Sequence, residues 1–142
     1  MKVEQVMSRD VSVVNTQDSI DEAAKRMKDL NVGSVPVCDE NNSPIGIVTD
    51  RDVAIRAVSN GYSSSENVEQ IMTSEVISVH PEDDIHKAAR IMGENQVRRL
   101  PVVENGKIVG IVSIGDLAVR NIYIDDAGKA LSEISTPSKP MF

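Results

Sequence analysis

The chain is short of the residues on which several common site chemistries depend. Its 142 residues include one cysteine, no tryptophan, one phenylalanine, two tyrosines and two histidines. A single cysteine excludes an internal disulfide and a zinc site made of several thiolates. The scarcity of aromatic rings means that stacking is not the main way in which this protein would hold a nucleobase. Cys38 ends the apolar run Val35 to Cys38, which favours a buried, unreactive thiol.

Positive charge and long apolar runs are scarce as well. Fifteen basic residues against 22 acidic ones give a formal net charge of −7, so general binding to nucleic acid is not expected. An anionic ligand would need a local cluster of cations. Apolar runs stay well below the roughly 18 residues of a membrane span, and the N-terminus lacks the apolar segment of a signal peptide. We therefore expect a cytoplasmic protein without a membrane partner.

What the sequence does contain is an internal duplication. V-E-Q-V-M at Val3 to Met7 returns as V-E-Q-I-M at Val68 to Met72, at an offset of 65 (68 minus 3). The offset falls to 64 where G-I-V-T-D-R-D, which begins at Gly46, aligns with G-I-V-S-I-G-D, which begins at Gly110. The lost residue lies in a polar turn, where the backbone tolerates a deletion. The duplication predicts one fold formed twice.

The repeats set the expected domain boundaries. We expect repeat 1 over residues 1–59, a polar, serine-rich linker over 60–67, repeat 2 over 68–124 and a tail over 125–142. Apolar residues at helical spacing, Ala127, Ala130, Leu131 and Ile134, predict a short helix in the tail, although Gly128 weakens it. Residues after Ile134 are expected to fray.

Each repeat predicts the element order β-α-β-β-α. In repeat 1, Ile20, Ala23, Ala24 and Met27 fall at i, i+3, i+4 and i+7, which is typical of an amphipathic helix. Two β-rich stretches around a turn follow in each repeat, and a second helix closes it. The expected fold class is therefore α+β (mixed α/β), with two pseudo-symmetric repeats. Because half of this chain would form only a marginal core alone, we expect the two repeats to pack as one module.

A hydroxyl and a carboxylate stand three residues apart where a strand of each repeat meets its second helix. One interpretation is a capping box, in which Thr49 or Ser113 accepts a backbone N–H and Asp52 or Asp116 reaches back. The other is a ligand site, because a helix N-terminus offers N–H groups to a phosphate and an ionised Asp accepts ribose hydroxyls, at about 1.5 to 3 kcal/mol per bond. The two interpretations do not exclude each other.

The ordered motifs resemble a known family. V-x-x-[VI]-M, the A-A-x-x-M helix, [VL]-P-V and G-I-V-[ST]-x-x-D, each occurring twice between Val3 and Ile122, are similar to the tandem CBS-domain pair, or Bateman module. The resemblance implies β-α-β-β-α units related by a pseudo-two-fold axis, two clefts between the repeats, and a homodimer formed through helices. It further implies non-catalytic regulation by adenosine ligands such as AMP, ADP, ATP or S-adenosylmethionine, with no required cofactor and an effector protein that the sequence does not name.

The resemblance also implies which residues bind. Thr49 and Ser113 would contact phosphate or ribose, and Asp52 and Asp116 would accept the ribose hydroxyls. The basic residues that often precede the L-P-V strand in this family match Arg98 and Arg99, where repeat 1 has Gly33 and Ser34. We therefore expect two unequal sites, and the site with Arg98, Arg99 and Asp116 is the one suited to a phosphorylated ligand. Apolar neighbours, among them Val14, Val35, Val79 and Leu100, either line an adenine slot or pack the core.

Two other classes of function stay open at this point. An enzyme would need a catalytic or metal constellation, but His80 and His86 have neither the spacing of a metal pair nor that of a triad. We expect no catalytic residue and no metal site. The alternative to a ligand sensor is a structural dimerisation module, in which Asp52 and Asp116 serve only as helix caps.

Overall fold

The structure, a computed structural model, describes residues 1–118 and 124–136, which belong to two compact units. We name them after the repeat that supplies most of each. The first-repeat unit comprises Val11–Ile77 with Asn105–Ile108, and the second-repeat unit comprises Met1–Asp10, Ser78–Glu104 and Val109–Phe142. The mixture of helices and small sheets confirms the predicted fold class.

The first-repeat unit has a three-stranded sheet. Its elements in chain order are β1 Val14–Asn15, α1 Ile20–Leu30, β2 Ser34–Cys38, β3 Pro44–Thr49, the π-helix Asp52–Val58 and a 3-10 helix Val68–Gln70. The order β1-β2-β3 places β2 in the centre, parallel to β1 and antiparallel to β3. Because Ser34 pairs with Thr49, the hairpin ends with both residues side by side at the start of the π-helix.

Helix α1 follows from its capping residues and its apolar face. The Ser19 hydroxyl accepts the N–H of Glu22 at 3.1 Å, and the helix ends at Asn31, whose φ of 55° is left-handed. The buried side of α1 packs into an apolar core that also takes residues from the sheet and from the 68–72 segment: Val14, Ile20, Ala23, Met27, Val35, Val37, Val48, Ala57, Val68 and Ile71. Burial of one face of α1 is therefore the main source of its stability.

The second-repeat unit repeats this plan. Its elements are a 3-10 helix Val3–Gln5, α2 Ile85–Asn95, β4 Arg99–Glu104, β5 Lys107–Ser113 from Val109 onward, α3 Ile114–Ala118 and α4 Ile124–Ile134. Helix α2 begins after Asp84, whose side chain accepts the N–H of His86, and ends at Gln96 with φ 53°. These caps stand 65 positions after those of α1, so the duplication extends to the ends of the helices. The part of the predicted second helix beyond Ala118 lies outside the described residues.

The two V-E-Q segments lie in units that the repeat boundaries do not suggest. The N–H of Val3 donates to the carbonyl of Asp83 at 2.9 Å, and the N–H of Val68 donates to that of Asp18 at 2.9 Å. Each segment thus hydrogen-bonds to the residues before the first helix of its unit. The segment of repeat 2 completes the first-repeat unit, and the N-terminal segment completes the second-repeat unit.

These segments also explain the glycine that opens each G-I-V motif. Ile47 in β3 pairs with Thr73, and Ile111 in β5 pairs with Ser8. A Cβ added to Gly46 would lie 2.9 Å from the Thr73 carbonyl oxygen, and one added to Gly110 would lie 2.9 Å from that of Ser8. Both distances are too short for any side chain, so the close crossing of two backbones requires glycine at each position.

Helix α4 packs on α2, at the place where the tail sequence predicts a short helix. Ala127 and Ala130 are buried on its inner side, and a Cβ on Gly93 of α2 would lie 3.4 Å from the Ala130 Cα. The Gln96 side chain donates to the carbonyls of Glu133 and Thr136, both at 3.1 Å. Small residues thus permit the close packing, and Gln96 caps the end of α4. The chain beyond Thr136 lies outside the described residues.

Candidate functional site

The junction between β3 and the π-helix is a complete capping box. The N–H of Thr49 donates to Asp52 Oδ2 at 3.0 Å, and the N–H of Asp52 donates to the Thr49 hydroxyl at 3.0 Å. Asp52 is only 7% exposed, and a buried carboxylate of this kind requires hydrogen bonds. The capping interpretation of this pattern is therefore correct as a statement of geometry.

An arginine holds the other oxygen of Asp52. Arg56 Nε lies 3.6 Å from Asp52 Oδ1, and its Nη1 donates to the carbonyls of Ile71 and Met72 at 3.4 and 3.3 Å. Arg56 therefore connects the carboxylate to the 68–72 segment of the same unit. This role of Arg56 was not predicted, although the i, i+4 spacing of Asp52 and Arg56 on one helix is typical of an ion pair.

The junction between β5 and α3 has the same hydrogen bonds. The N–H of Ser113 donates to Asp116 Oδ2 at 2.8 Å, and the N–H of Asp116 donates to the Ser113 hydroxyl at 3.2 Å. Ser113 and Asp116 are half-buried. Each predicted hydroxyl and carboxylate pair is thus brought together within its own unit, at the end of a strand.

Arg98 and Arg99 lie beside the second junction. The N–H of Ile114 donates to the carbonyl of Arg98 at 2.8 Å, so the backbone of Arg98 is next to the first residue of α3. Arg99 begins β4, and both side chains are exposed. The backbone that carries these two exposed cations is therefore adjacent to the start of α3, within the second-repeat unit, in a chain whose net charge is −7.

The first junction lacks these two cations and has an acid, Asp50, at the position of Ile114. The N–H of Asp50 donates to the carbonyl of Gly33 at 2.9 Å, which is the counterpart of the bond from Ile114 to Arg98. Gly33 has no side chain, and a Cβ built there would lie 3.2 Å from Asp50 Oδ2. The two junctions share a backbone geometry and differ in charge.

The apolar residues considered for an adenine slot belong to the core in this structure. Val14, Val35, Val79 and Leu100 are each at most 1% exposed. Three cavities of about 470, 690 and 260 Å³ are lined by residues of α2 and α4, of the 15–18 and 39–42 turns, and of α1 with Ser12. None of these three is lined by the six predicted site residues.

Within the described part of the chain, two side chains have a pKa that departs from its ordinary value, and both shifts have local causes. Burial, with a smaller contribution from Asp39, raises the pKa of the Cys38 thiol to about 11, which keeps it protonated and unreactive. Burial acts to raise the pKa of Asp83, but the His80 N–H, the Lys87 ammonium and the charge of His80 outweigh it and hold this pKa below 3.8. Neither residue belongs to the two junctions.

The comparison with known families decides the relationship. The family model described as "CBS domain" matches residues 3–58 and 68–120. The chain belongs to the CBS-domain family. It carries two CBS repeats, and the two family matches include both capping-box junctions.

Other proteins with CBS domains resemble this chain over most of their length. CBS domain-containing protein YhcV of Bacillus subtilis (strain 168) is 38% identical over 133 residues, which is 94% of each chain. CBS domain protein PAE2072 from Pyrobaculum aerophilum, solved as a complex with AMP, has a TM-score of 0.79 at 25% identity and covers 90% of this chain and 98% of its own. The CBS domain pair of protein MJ0100, solved with methylthioadenosine and S-adenosylmethionine, has a TM-score of 0.74 at 29% identity, over 84% of this chain and 98% of that chain.

The described residues of this CBS protein form neither a membrane-spanning helix nor a metal-binding cluster. Within residues 1–118 and 124–136, no helix has the length and the apolar character needed to cross a membrane. In the same described ranges, no three or more histidine, cysteine or acidic side chains form a group that would hold a metal ion.

Proposed function

We propose that this CBS-domain protein is a non-catalytic regulatory module that binds adenosine-containing small molecules at its two capping-box junctions. The candidate ligands are AMP, ADP, ATP and S-adenosylmethionine. The observation that carries the proposal is that two exposed arginines, Arg98 and Arg99, belong to the same junction as Asp116, because the carbonyl of Arg98 accepts the N–H of Ile114. The binding of AMP by PAE2072 and of adenosine compounds by MJ0100 supports the same ligand class.

The chemistry of the second junction suits a nucleotide. Asp116 Oδ2 accepts the N–H of Ser113, and Oδ1 would accept a ribose hydroxyl as a charge-assisted hydrogen bond. Arg98 and Arg99 would neutralise the phosphate, and the Ser113 hydroxyl would donate to it or to the ribose. At the first junction the Thr49 hydroxyl would make the contact of Ser113, and a ribose hydroxyl would share Asp52 Oδ1 with Arg56, whose Nε lies 3.6 Å away; the two arginines are absent there.

A thermal-shift and calorimetric titration with the four candidate ligands tests the proposal. A ligand at one hundred times its Kd stabilises the protein by about 2.7 kcal/mol. Asp116→Ala should abolish most of this stabilisation, and Asp84→Ala is the matched control because it removes a helix cap of α2 outside the junctions. The proposal is wrong if no ligand binds at millimolar concentration, or if Asp52→Ala and Asp116→Ala together leave binding unchanged.

A homodimer is part of the proposal, and an exposed apolar surface supports it. On the first-repeat unit, Leu30 of α1 is 48% exposed, and Ile55 and Val58 of the π-helix are 53% and 73% exposed. The two helices that carry these side chains contact each other, and large exposed apolar side chains on neighbouring elements are typical of protein interfaces. Sedimentation of the wild type and of Val58→Glu tests it, since the variant should be monomeric and the wild type dimeric.

The same surface supports the second candidate function, a dimerisation module without a nucleotide ligand. In that case Thr49, Asp52, Ser113 and Asp116 serve only as caps, and each Asp→Ala variant lowers stability by about 1 kcal/mol without any ligand effect. A cytoplasmic location and an effector protein stay predictions in either case.

A further inference from the structure

The two junctions differ most at the residue that follows the threonine or serine. Asp50 follows Thr49, and Ile114 follows Ser113. Both residues donate their N–H to the carbonyl of the residue just before the first strand of the preceding hairpin, Gly33 in one unit and Arg98 in the other, at 2.9 and 2.8 Å. The backbone positions of Asp50 and Gly33 are therefore neighbours in one unit, and those of Ile114 and Arg98 are neighbours in the other.

The carboxylate of Asp50 lies over the bare Cα of Gly33. A Cβ at Gly33 would be 3.2 Å from Asp50 Oδ2, so the absence of a side chain at Gly33 is what gives the carboxylate room. Asp50 Oδ1 also accepts the N–H of Arg51 at 2.8 Å, which orients the carboxylate. A negative charge is thus fixed beside Gly33, whose counterpart in the second-repeat unit is the cation Arg98.

The two junctions therefore differ in net charge. At the four aligned positions the second junction has Arg98, Arg99, Ile114 and Gly115, a sum of +2, and the first has Gly33, Ser34, Asp50 and Arg51, a sum of zero. A phosphate at the first junction would meet the Asp50 carboxylate within a few ångströms. Since Asp50 is exposed, solvent reduces this repulsion but does not remove it.

We infer that Asp50 determines the ligand class of the first junction: it disfavours a 5′-phosphate and admits adenosine compounds whose 5′ substituent is uncharged or positively charged. This inference rests on the proposed function, because it assigns specificity to one of the two proposed sites. Asp50 acts by its charge, Gly33 leaves room for that charge, and the second junction takes the phosphorylated ligand.

Calorimetry on the full chain tests this assignment with three probes of different charge. AMP, adenosine and S-adenosylmethionine are titrated into the Arg98→Ala, Arg99→Ala background, in which phosphate binding at the second junction is weakened. Adding Asp50→Asn should raise the affinity for AMP about tenfold, lower that for S-adenosylmethionine by a similar factor and leave adenosine within about twofold. This opposite response to the sign of the ligand charge would not arise from a structural role.

A matched control and a reciprocal variant complete the test. Glu40→Gln removes one exposed acid at the opposite end of the β2 and β3 hairpin and should change none of the three affinities. In the wild-type chain, Ile114→Asp should weaken AMP binding about tenfold, whereas Ile114→Asn should change it much less.

The possible outcomes separate the two proposals. If none of the probes binds the wild-type chain, the proposed function fails and this inference fails with it. If the probes bind but Asp50→Asn leaves the ratio of AMP to adenosine affinity unchanged, the inference alone is overturned. A tenfold change of that ratio in Asp50→Asn, absent in Glu40→Gln, supports it.

Discussion

At the first junction Thr49 and Asp52 exchange two hydrogen bonds of 3.0 Å, and at the second Ser113 and Asp116 exchange bonds of 2.8 and 3.2 Å. Around these nearly equal bonds the charges differ, because Asp50 stands in one junction and the Arg98 and Arg99 pair in the other. The backbone geometry and the local charge of the junctions are thus determined by different residues. A duplicated scaffold can therefore support two sites of different specificity without any change of fold.

The largest expected effect tests whether the scaffold is equal in both units. Gly46→Ala and Gly110→Ala place a Cβ 2.9 Å from a backbone carbonyl oxygen, and each should lower the free energy of unfolding by about 3 kcal/mol. Urea denaturation of both variants measures it. Gly128→Ala is the control, because its Cβ meets nothing within 4 Å and should stabilise α4 by about 1 kcal/mol. If only one of Gly46→Ala and Gly110→Ala lowered the stability, the scaffolds of the two units would not be equal.

The next effect tests the difference in charge. Arg98→Ala with Arg99→Ala should weaken AMP binding about thirtyfold, or roughly 2 kcal/mol, and change adenosine binding by less than about twofold. Calorimetry measures both affinities. Lys107→Ala with Lys129→Ala removes two exposed cations elsewhere and controls for the net charge. Equal weakening of AMP and adenosine would show that the arginines do not act on the phosphate.

A smaller effect tests whether the two capping boxes contribute equally to stability. Thr49→Ala and Ser113→Ala each remove one hydroxyl acceptor, from Asp52 and Asp116 respectively. Each should cost about 1 kcal/mol of stability, measured without ligand by thermal unfolding. If one variant costs much more than the other, the two junctions differ in their contribution to the fold as well as in charge.

The smallest effect concerns the residue that precedes the cap of each first helix. Asp18 and Asp83 each accept a backbone N–H at 2.8 Å, but Lys87 lies 3.2 Å from Asp83, whereas its counterpart 65 positions earlier is Glu22. Lys87→Gln should therefore cost about 0.3 kcal/mol. Chemical denaturation at neutral pH and low salt measures it, and a cost that persists in high salt would contradict an ion pair.

The same aspartate gives a pH dependence with a defined sign. Because the pKa of Asp83 is lower in the folded protein than its ordinary value of 3.8, its ionised form stabilises the fold. This contribution is present above about pH 4 and is lost as the pH falls through the folded pKa. The free energy of unfolding of Asp83→Asn should therefore be lower than that of the wild type at neutral pH and approach it in acid. Parallel urea titrations measure both.

Much of the fold was predictable because the periodicity of each repeat is local. Apolar spacing located α1 and α2, and turn residues located the two hairpins. The sequence did not show which unit each V-E-Q segment completes, since Val3 to Gln5 and Val68 to Gln70 are identical and fit either place. It also did not predict the π-helix Asp52–Val58, because no sequence signal separates it from an α-helix of the same composition.

The residues of the candidate site were predictable in part. The three-residue spacing from Thr49 to Asp52 and from Ser113 to Asp116 predicted both capping boxes, because such pairs depend on adjacent turns of one segment. The contact of Asp50 with Gly33 was not foreseen. It depends on the pairing of two strands and on a missing side chain, which only the folded backbone reveals.

The membership of the V-E-Q segments has a consequence for the order of synthesis. Residues 1–10 are translated before the first-repeat unit, yet they complete the unit whose other residues begin at Ser78. These residues therefore cannot complete their unit until Ser78 and the residues after it have been synthesised, and the first-repeat unit lacks its last segment until Ile108 has left the ribosome. Since contacts distant in sequence slow folding, the amides of the N-terminal segment should be among the last to become protected from hydrogen exchange. Cleavage of the chain within residues 60–67 would not yield two fragments that each contain a complete unit.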